Sequence, residues 1–204
     1  MQIEDSIFRI LIIIFSIVIH EVSHGFMAYA LGDHTAEREG RLTFNPIKHF
    51  DPIGSFLVPL LTINTPFAFG WAKPVPYNPH NLHDKKWGEA KVAFAGPGSN
   101  LLLALIFSIV IRLGSVGIIL LSPAVIKILV WIIVINLSLA VVNLIPLYPL
   151  DGSRIFFSVL PYHLRHIQEF MMRYMFVFLA FFLLFMGGVI SFFVEGLFHL
   201  FTNL

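Results

Sequence analysis

The chain has 204 residues, of which 57% are hydrophobic and only 12% charged, with a net charge of +1; an average soluble protein is roughly 25% charged. Intrinsic disorder does not fit so apolar a chain, and a near-neutral one has no field to attract nucleic acid. With no cysteine at all, disulfides, cysteine-based metal sites and cysteine nucleophiles are excluded as well. A mean hydropathy of +0.85 and 22 Phe leave one class: an all-α polytopic membrane protein in which any metal is held by histidines and carboxylates.

A membrane span needs about 20 mostly apolar residues. The first expected span covers residues 7–31 and carries His20, Glu21 and His24. It does not read as a cleaved signal peptide, because Glu4 and Asp5 precede it and no small-residue cleavage site follows. The next apolar run, 53–71, is broken by Gly54, Pro59, Asn64, Pro66 and Gly70. It is expected to be a re-entrant segment or short hairpin, since irregular backbone at membrane depth must be buried in protein or line a cavity. Further spans are expected at 90–113, 124–147 and 171–193, giving about four transmembrane helices in a single integral-membrane domain over residues 1–204.

Lysine and arginine set the orientation. Arg38, Arg41, Lys48, Lys73, Lys85, Lys86 and Lys91 lie between the first and second spans, and Arg154, Arg165 and Arg173 follow the third. Four spans put these ten on one side, read as cytoplasmic. Only Arg9, Arg112 and Lys127 fall on the other side, and both termini are then expected outside the cytoplasm.

His20, Glu21 and His24 form the sequence HEVSH. Histidines at i and i+4 share one helical face, so two imidazoles can reach one Zn²⁺. Glu21 is offset around the helix, where it can reach a water at the metal without being a ligand. Packed polar residues would be the alternative in a soluble helix; within a span, three ionisable groups in five residues point to function. A catalytic zinc also needs a third protein ligand. Asp151, in NLIPLYPLDGSRI (143–155), reads first as turn chemistry ahead of Gly152 and Ser153. The orientation shifts that reading: His20 and His24 sit in the cytoplasmic half of the first span, and Asp151 emerges on the same side.

Five motifs occur together: HEVSHG (20–25), NPIKHFDPIGS (45–55), GWAKPVPYNP (70–79), AGPGSN (95–100) and NLIPLYPLDG (143–152). In kind and order they resemble the site-2 protease family of intramembrane zinc metalloproteases (peptidase family M50), over roughly residues 15 to 160. The resemblance implies that His20, His24 and Asp151 bind one Zn²⁺ ion, that Glu21 is the catalytic acid and base, and that Asn100 and Asn143 line the site. It also implies a compact member without PDZ or CBS domains. From physics alone, Asn100 and Asn143 each need a hydrogen-bond partner in an apolar helix. Interhelical bonding and stabilisation of a substrate carbonyl or oxyanion remain equally open for both.

The expected activity is hydrolysis of peptide bonds within or near transmembrane segments of protein substrates, in a prokaryotic inner membrane, with the site toward the cytoplasm. Residues 73–79 suggest an edge to which an extended substrate could add as a strand. His49 is expected to be a solvated loop residue, and Gly96, Pro97 and Gly98 to serve helix packing. The rival class is a zinc-binding membrane transporter or sensor without protease activity; a transporter is expected to show internal repeats, and none is present.

Overall fold

The computed structural model describes residues 3–51, 73–161 and 164–203. The expected re-entrant segment at 53–71 lies outside them. Among the described residues the regular structure is helical. Three helices are long and apolar enough to cross a membrane: α1 (Ile3–Ala30), α3 (Gly88–Ser115) and α4 (Pro123–Asn143). The short helix α2 (Thr35–Arg38) follows α1, and α5 (Asp151–Val159), α6 (Arg165–Arg173), α7 (Met175–Phe185) and α8 (Gly187–Thr202) complete the order.

Local chemistry sets the boundaries of the long helices. Glu4 and Asp5 in the first turn of α1 complement the positive end of its dipole. Its far end closes on Gly32, whose φ of 99° a side chain would resist. Asp33 N–H donates to Ala28 O at 2.9 Å and Gly32 N–H to Tyr29 O at 3.0 Å, the paired bonds of a Schellman stop. Helix α4 starts at Ser122, whose side chain accepts from Val125 N–H, with Pro123 in the first turn. It ends at Asn143, three residues short of Pro146.

Helix α3 is the hub. It packs against α1 and α4 along its length, and against α5 and α8. Lipid tails are as apolar as leucine, so close approach and internal hydrogen bonds hold such a bundle together. Its interfaces accordingly bury small residues: Ala93, Gly96, Ala104 and Ser108 of α3, and Ala140 of α4. Ile111, Leu129, Ile133, Leu137 and Val194 complete the core beside Ala104.

The last expected span, 171–193, is not one straight helix. Helices α7 and α8 meet at Met186 with a bend of 63° and make at most one broken span. The paired Gly187 and Gly188 at the start of α8 are the local cause, since adjacent glycines relax the helical constraint. At the end of the bundle formed by the start of α1, the end of α3 and the start of α4 lie the three cations expected apart from the rest. Lys127 Nζ donates to Asp5 at 2.6 Å, Arg9 and Lys127 stack on Trp131, and Arg112 donates to Leu200 O.

Candidate metal centre

At the opposite end of the bundle, α1 delivers His20, Glu21 and His24, and the turn after α4 delivers Asp151 as the first residue of α5. His20 Nε2 and His24 Nε2 lie 3.1 Å apart. Asp151 Oδ2 is 3.1 Å from the first and 3.3 Å from the second. Among the described residues this is the cluster of histidine and acidic side chains that could hold an ion.

The outer nitrogens of both rings are committed. His20 Nδ1 lies 2.6 Å from Asn100 Oδ1, and His24 Nδ1 lies 2.7 Å from Val92 O. Both partners are oxygen acceptors, so each Nδ1 carries the proton and each Nε2 presents a lone pair. At neutral pH the Asp151 carboxyl is an anion, and its Oδ2 faces both imidazoles. Two lone pairs and an anion therefore face one another at 3.1–3.3 Å. Acceptors so arranged repel; a cation between them removes the conflict. A tetrahedral ion with ligands at 2.0–2.1 Å separates its donors by about 3.3 Å. The donor set and its spacing fit zinc.

Space for this triangle depends on Gly96. A Cβ there would lie 2.4 Å from His24 Nε2 and 2.6 Å from His20 Nε2. Packing, the role expected of Gly96, is thus packing against the ligands themselves. Gly152 is equally constrained, since a Cβ would meet Leu144 O at 2.3 Å and Ile145 O at 2.4 Å. Without a side chain at 152, the turn can fold back and start α5 with Asp151 directed at the histidines.

The triangle opens onto a cavity of about 290 Å³, whose walls include Glu21, Val75, Tyr77, Asn143 and Arg154. Glu21 stands outside the ligand trio, and its Oε2 accepts Val75 N–H at 3.0 Å. Arg154 donates to the Tyr77 hydroxyl across the cavity wall. The extended segment 73–78 is pinned on both sides of Val75. Arg41 Nη2 donates to Lys73 O at 2.8 Å and to Pro74 O at 3.3 Å. Asp33 accepts Asn78 N–H at 2.6 Å and Asn81 Nδ2 at 2.8 Å.

Several expectations need correcting. His49 is not solvated: it is 2% exposed, and its Nε2–H donates to Thr43 O at 2.8 Å. Asn100 and Asn143, alike in sequence, separate in space. Asn143 lines the cavity and returns one amide hydrogen to Leu139 O. Asn100 is fully buried behind His20, with its oxygen on the ring and its nitrogen on Asn136 Oδ1 at 2.8 Å; a substrate cannot touch it. Asn136 escaped the sequence reading, although it too is a polar residue in an apolar helix. Asp33 and Arg41 escaped because they hold segment 73–81 through groups 32 to 48 residues away, most of them backbone.

The family described as peptidase family M50 matches residues 113–187. YwhC of Bacillus subtilis, named a candidate zinc metalloprotease, is 38% identical over 159 residues, which is 76% of this chain and 69% of that protein. Two Rip2 proteins carry the same description. That of Mycobacterium tuberculosis is 30% identical over 74% of this chain and 54% of its own length. That of Mycolicibacterium smegmatis is 35% identical over 45% of this chain and 34% of its own length. The chain thus spans about half of the first Rip2 and a third of the second. No solved structure matches.

Proposed function

The chain belongs to peptidase family M50, and on that premise we propose that it hydrolyses peptide bonds in transmembrane segments of other membrane proteins, with His20, His24 and Asp151 holding one zinc ion and Glu21 as the general base. The observation that carries this reading is the triangle of two imidazole lone pairs and a carboxylate oxygen, within 3.3 Å of one another, with a further carboxylate in the same cavity.

Zinc, when bound, supplies Lewis acidity toward the scissile carbonyl and lowers the pKa of a water molecule. The protein's own residues do the rest. Glu21 takes the proton from the attacking water and passes it to the leaving amine. The Val75 N–H holds one of its oxygens and leaves the other for that exchange. Asn143 has a second amide hydrogen free of Leu139 O and offers it to the carbonyl oxygen of the substrate as charge develops there. Asn100 positions His20 and touches no reacting atom. Substrate helices must unwind to expose a carbonyl, and the cavity bounded by segment 73–78 on one side and by Leu150 and Arg154 on the other receives the extended stretch. The ten positive residues that lie between the first and second expected spans and after the third favour a cytoplasmic site in a prokaryotic inner membrane, with both termini outside.

Purified wild-type protein and Glu21→Gln test this reading by bound-zinc measurement and by cleavage of a panel of transmembrane peptides. The variant is expected to retain zinc and lose cleavage. Cleavage that survives the substitution removes Glu21 from its assigned role; wild-type protein that binds zinc, moves it across liposome membranes and cleaves nothing favours transport.

A further inference from the structure

Behind His20 and Asn100 the chain of buried polar side chains continues through residues that no part of the proposed reaction uses. Asn136 of α4 is 1% exposed. Its Nδ2 donates to Ile132 O at 2.9 Å and to Ser16 Oγ at 3.0 Å. A backbone carbonyl can only accept, so Ile132 O fixes which end of the Asn136 amide carries nitrogen. Its Oδ1 is left to accept from Asn100 Nδ2 at 2.8 Å. Asn100 Nδ2 also faces Ser16 O at 3.4 Å, a second acceptor-only group. The amide of Asn100 is thereby fixed in turn, with Oδ1 toward His20 Nδ1 at 2.6 Å.

We propose that Asn136 is a positioning residue for the metal centre: by accepting from Asn100 it fixes the polarity of that amide and so compels His20 to present an unprotonated Nε2. This inference rests on the zinc reading of the site. An imidazole has two neutral tautomers, and one of them places a proton where the metal belongs. Were the Asn100 amide to turn over, its NH₂ would face Nδ1, and the ring would shift its proton to Nε2. The lock is built where water cannot substitute for it, since Asn100, Asn136 and Ser16 are all buried at the junction of α1, α3 and α4. Partners of metal-bound histidines typically tune affinity 10- to 100-fold. Asn136 acts one residue further out, through an amide whose orientation it decides.

The test is a double-mutant cycle read by zinc affinity, measured against a chromophoric chelator in detergent, with melting of the metal-free proteins recorded in parallel. Asn136→Leu is expected to weaken zinc binding about tenfold in the wild-type background. In an Asn100→Asp background it is expected to cost no further affinity, because a carboxylate presents an acceptor to His20 whichever way it turns. Ser16→Ala, a smaller change at the outer end of the chain, is expected to show a weaker loss with the same background dependence. Unchanged affinity in Asn136→Leu overturns the proposal. So does an equal loss in both backgrounds, the mark of a packing role. If Asn136→Leu does not fold, Ser16→Ala decides by the same comparison. Wild-type protein that binds no zinc would instead overturn the reading of the site itself, a result these comparisons keep separate.

Discussion

Gly96→Ala places one methyl group against the metal centre. The added carbon would lie 2.4 Å from His24 Nε2, 2.5 Å from His24 Cε1 and 2.6 Å from His20 Nε2. Carbon and nitrogen pack comfortably at about 3.5 Å, so the rings would have to retreat by roughly 1 Å. Neither ring can retreat freely, since the Nδ1 of His20 is tied to Asn100 and that of His24 to Val92 O. Metal–ligand distances tolerate about ±0.2 Å, several times less than the retreat required. Zinc affinity is therefore expected to fall at least 100-fold, with cleavage falling in parallel. Helix propensity pulls the other way, because alanine is favoured over glycine in a helix by up to about 1 kcal/mol; a loss of zinc would not reflect a weakened helix. Gly98→Ala is the control two residues on. There the new methyl meets Phe94 Cε1 at 3.2 Å, part of a half-exposed ring able to move aside, and zinc affinity is expected to stay within a few-fold of wild type. Chelator competition on the two variants, with melting of the metal-free forms, is the assay. Wild-type zinc affinity in Gly96→Ala would refute both the steric account and the geometry assigned to the triangle.

Gly152→Ala would drive a methyl group into the carbonyls of Leu144 and Ile145, which are backbone atoms and cannot swing away; a stability loss of about 1–3 kcal/mol is expected on thermal unfolding in detergent, with weaker zinc binding. Asp33 accepts four hydrogen bonds, from Thr35 N–H and Oγ1–H, Asn78 N–H and Asn81 Nδ2. Burial works against its ionisation, but these donors outweigh it and hold the carboxyl below its ordinary value. A carboxyl lowered on folding contributes stability above its unfolded pKa of about 3.9 and loses it as pH falls through the lower folded value. Protection of the amides at 77–82 from exchange, relative to their intrinsic rates, is thus expected to fall below about pH 4 in wild type, and to be lost already at pH 7 in Asp33→Ala; equal protection in both proteins would refute the anchoring role. Because the chain has no native cysteine, Lys85→Cys and Lys127→Cys report sidedness directly. A membrane-impermeant maleimide added to intact cells is expected to label the second and spare the first, and the reverse pattern overturns the proposed orientation.

The sequence by itself determined whatever depends on local spacing. His20 and His24 had to share a face of α1 because the helical repeat places i and i+4 one turn apart. The membrane class followed from a charge content too low for a soluble surface, whereas the break at Gly187 lay inside a single expected span over 171–193. Only the tertiary structure decided which helix faces which. Helices α3 and α4 are apolar on nearly every side, so no polar stripe in their sequences marks the inward face, and a lone asparagine shows that a partner exists without showing where. For that reason Asn100 and Asn143 are equivalent in sequence and differ only once packing sends one behind His20 and the other into the cavity, and the role of Asn136 shows only where packing sets it between Asn100 and Ser16. The same limit hid Gly96, whose missing side chain matters because α1 presses two imidazoles against it, and Arg41, whose acceptors are the carbonyls of a segment 32 residues away. Helix periodicity acts along a few residues and can be read from them; contacts between apolar helices arise from steric fit across the bundle, which spacing along one segment does not encode.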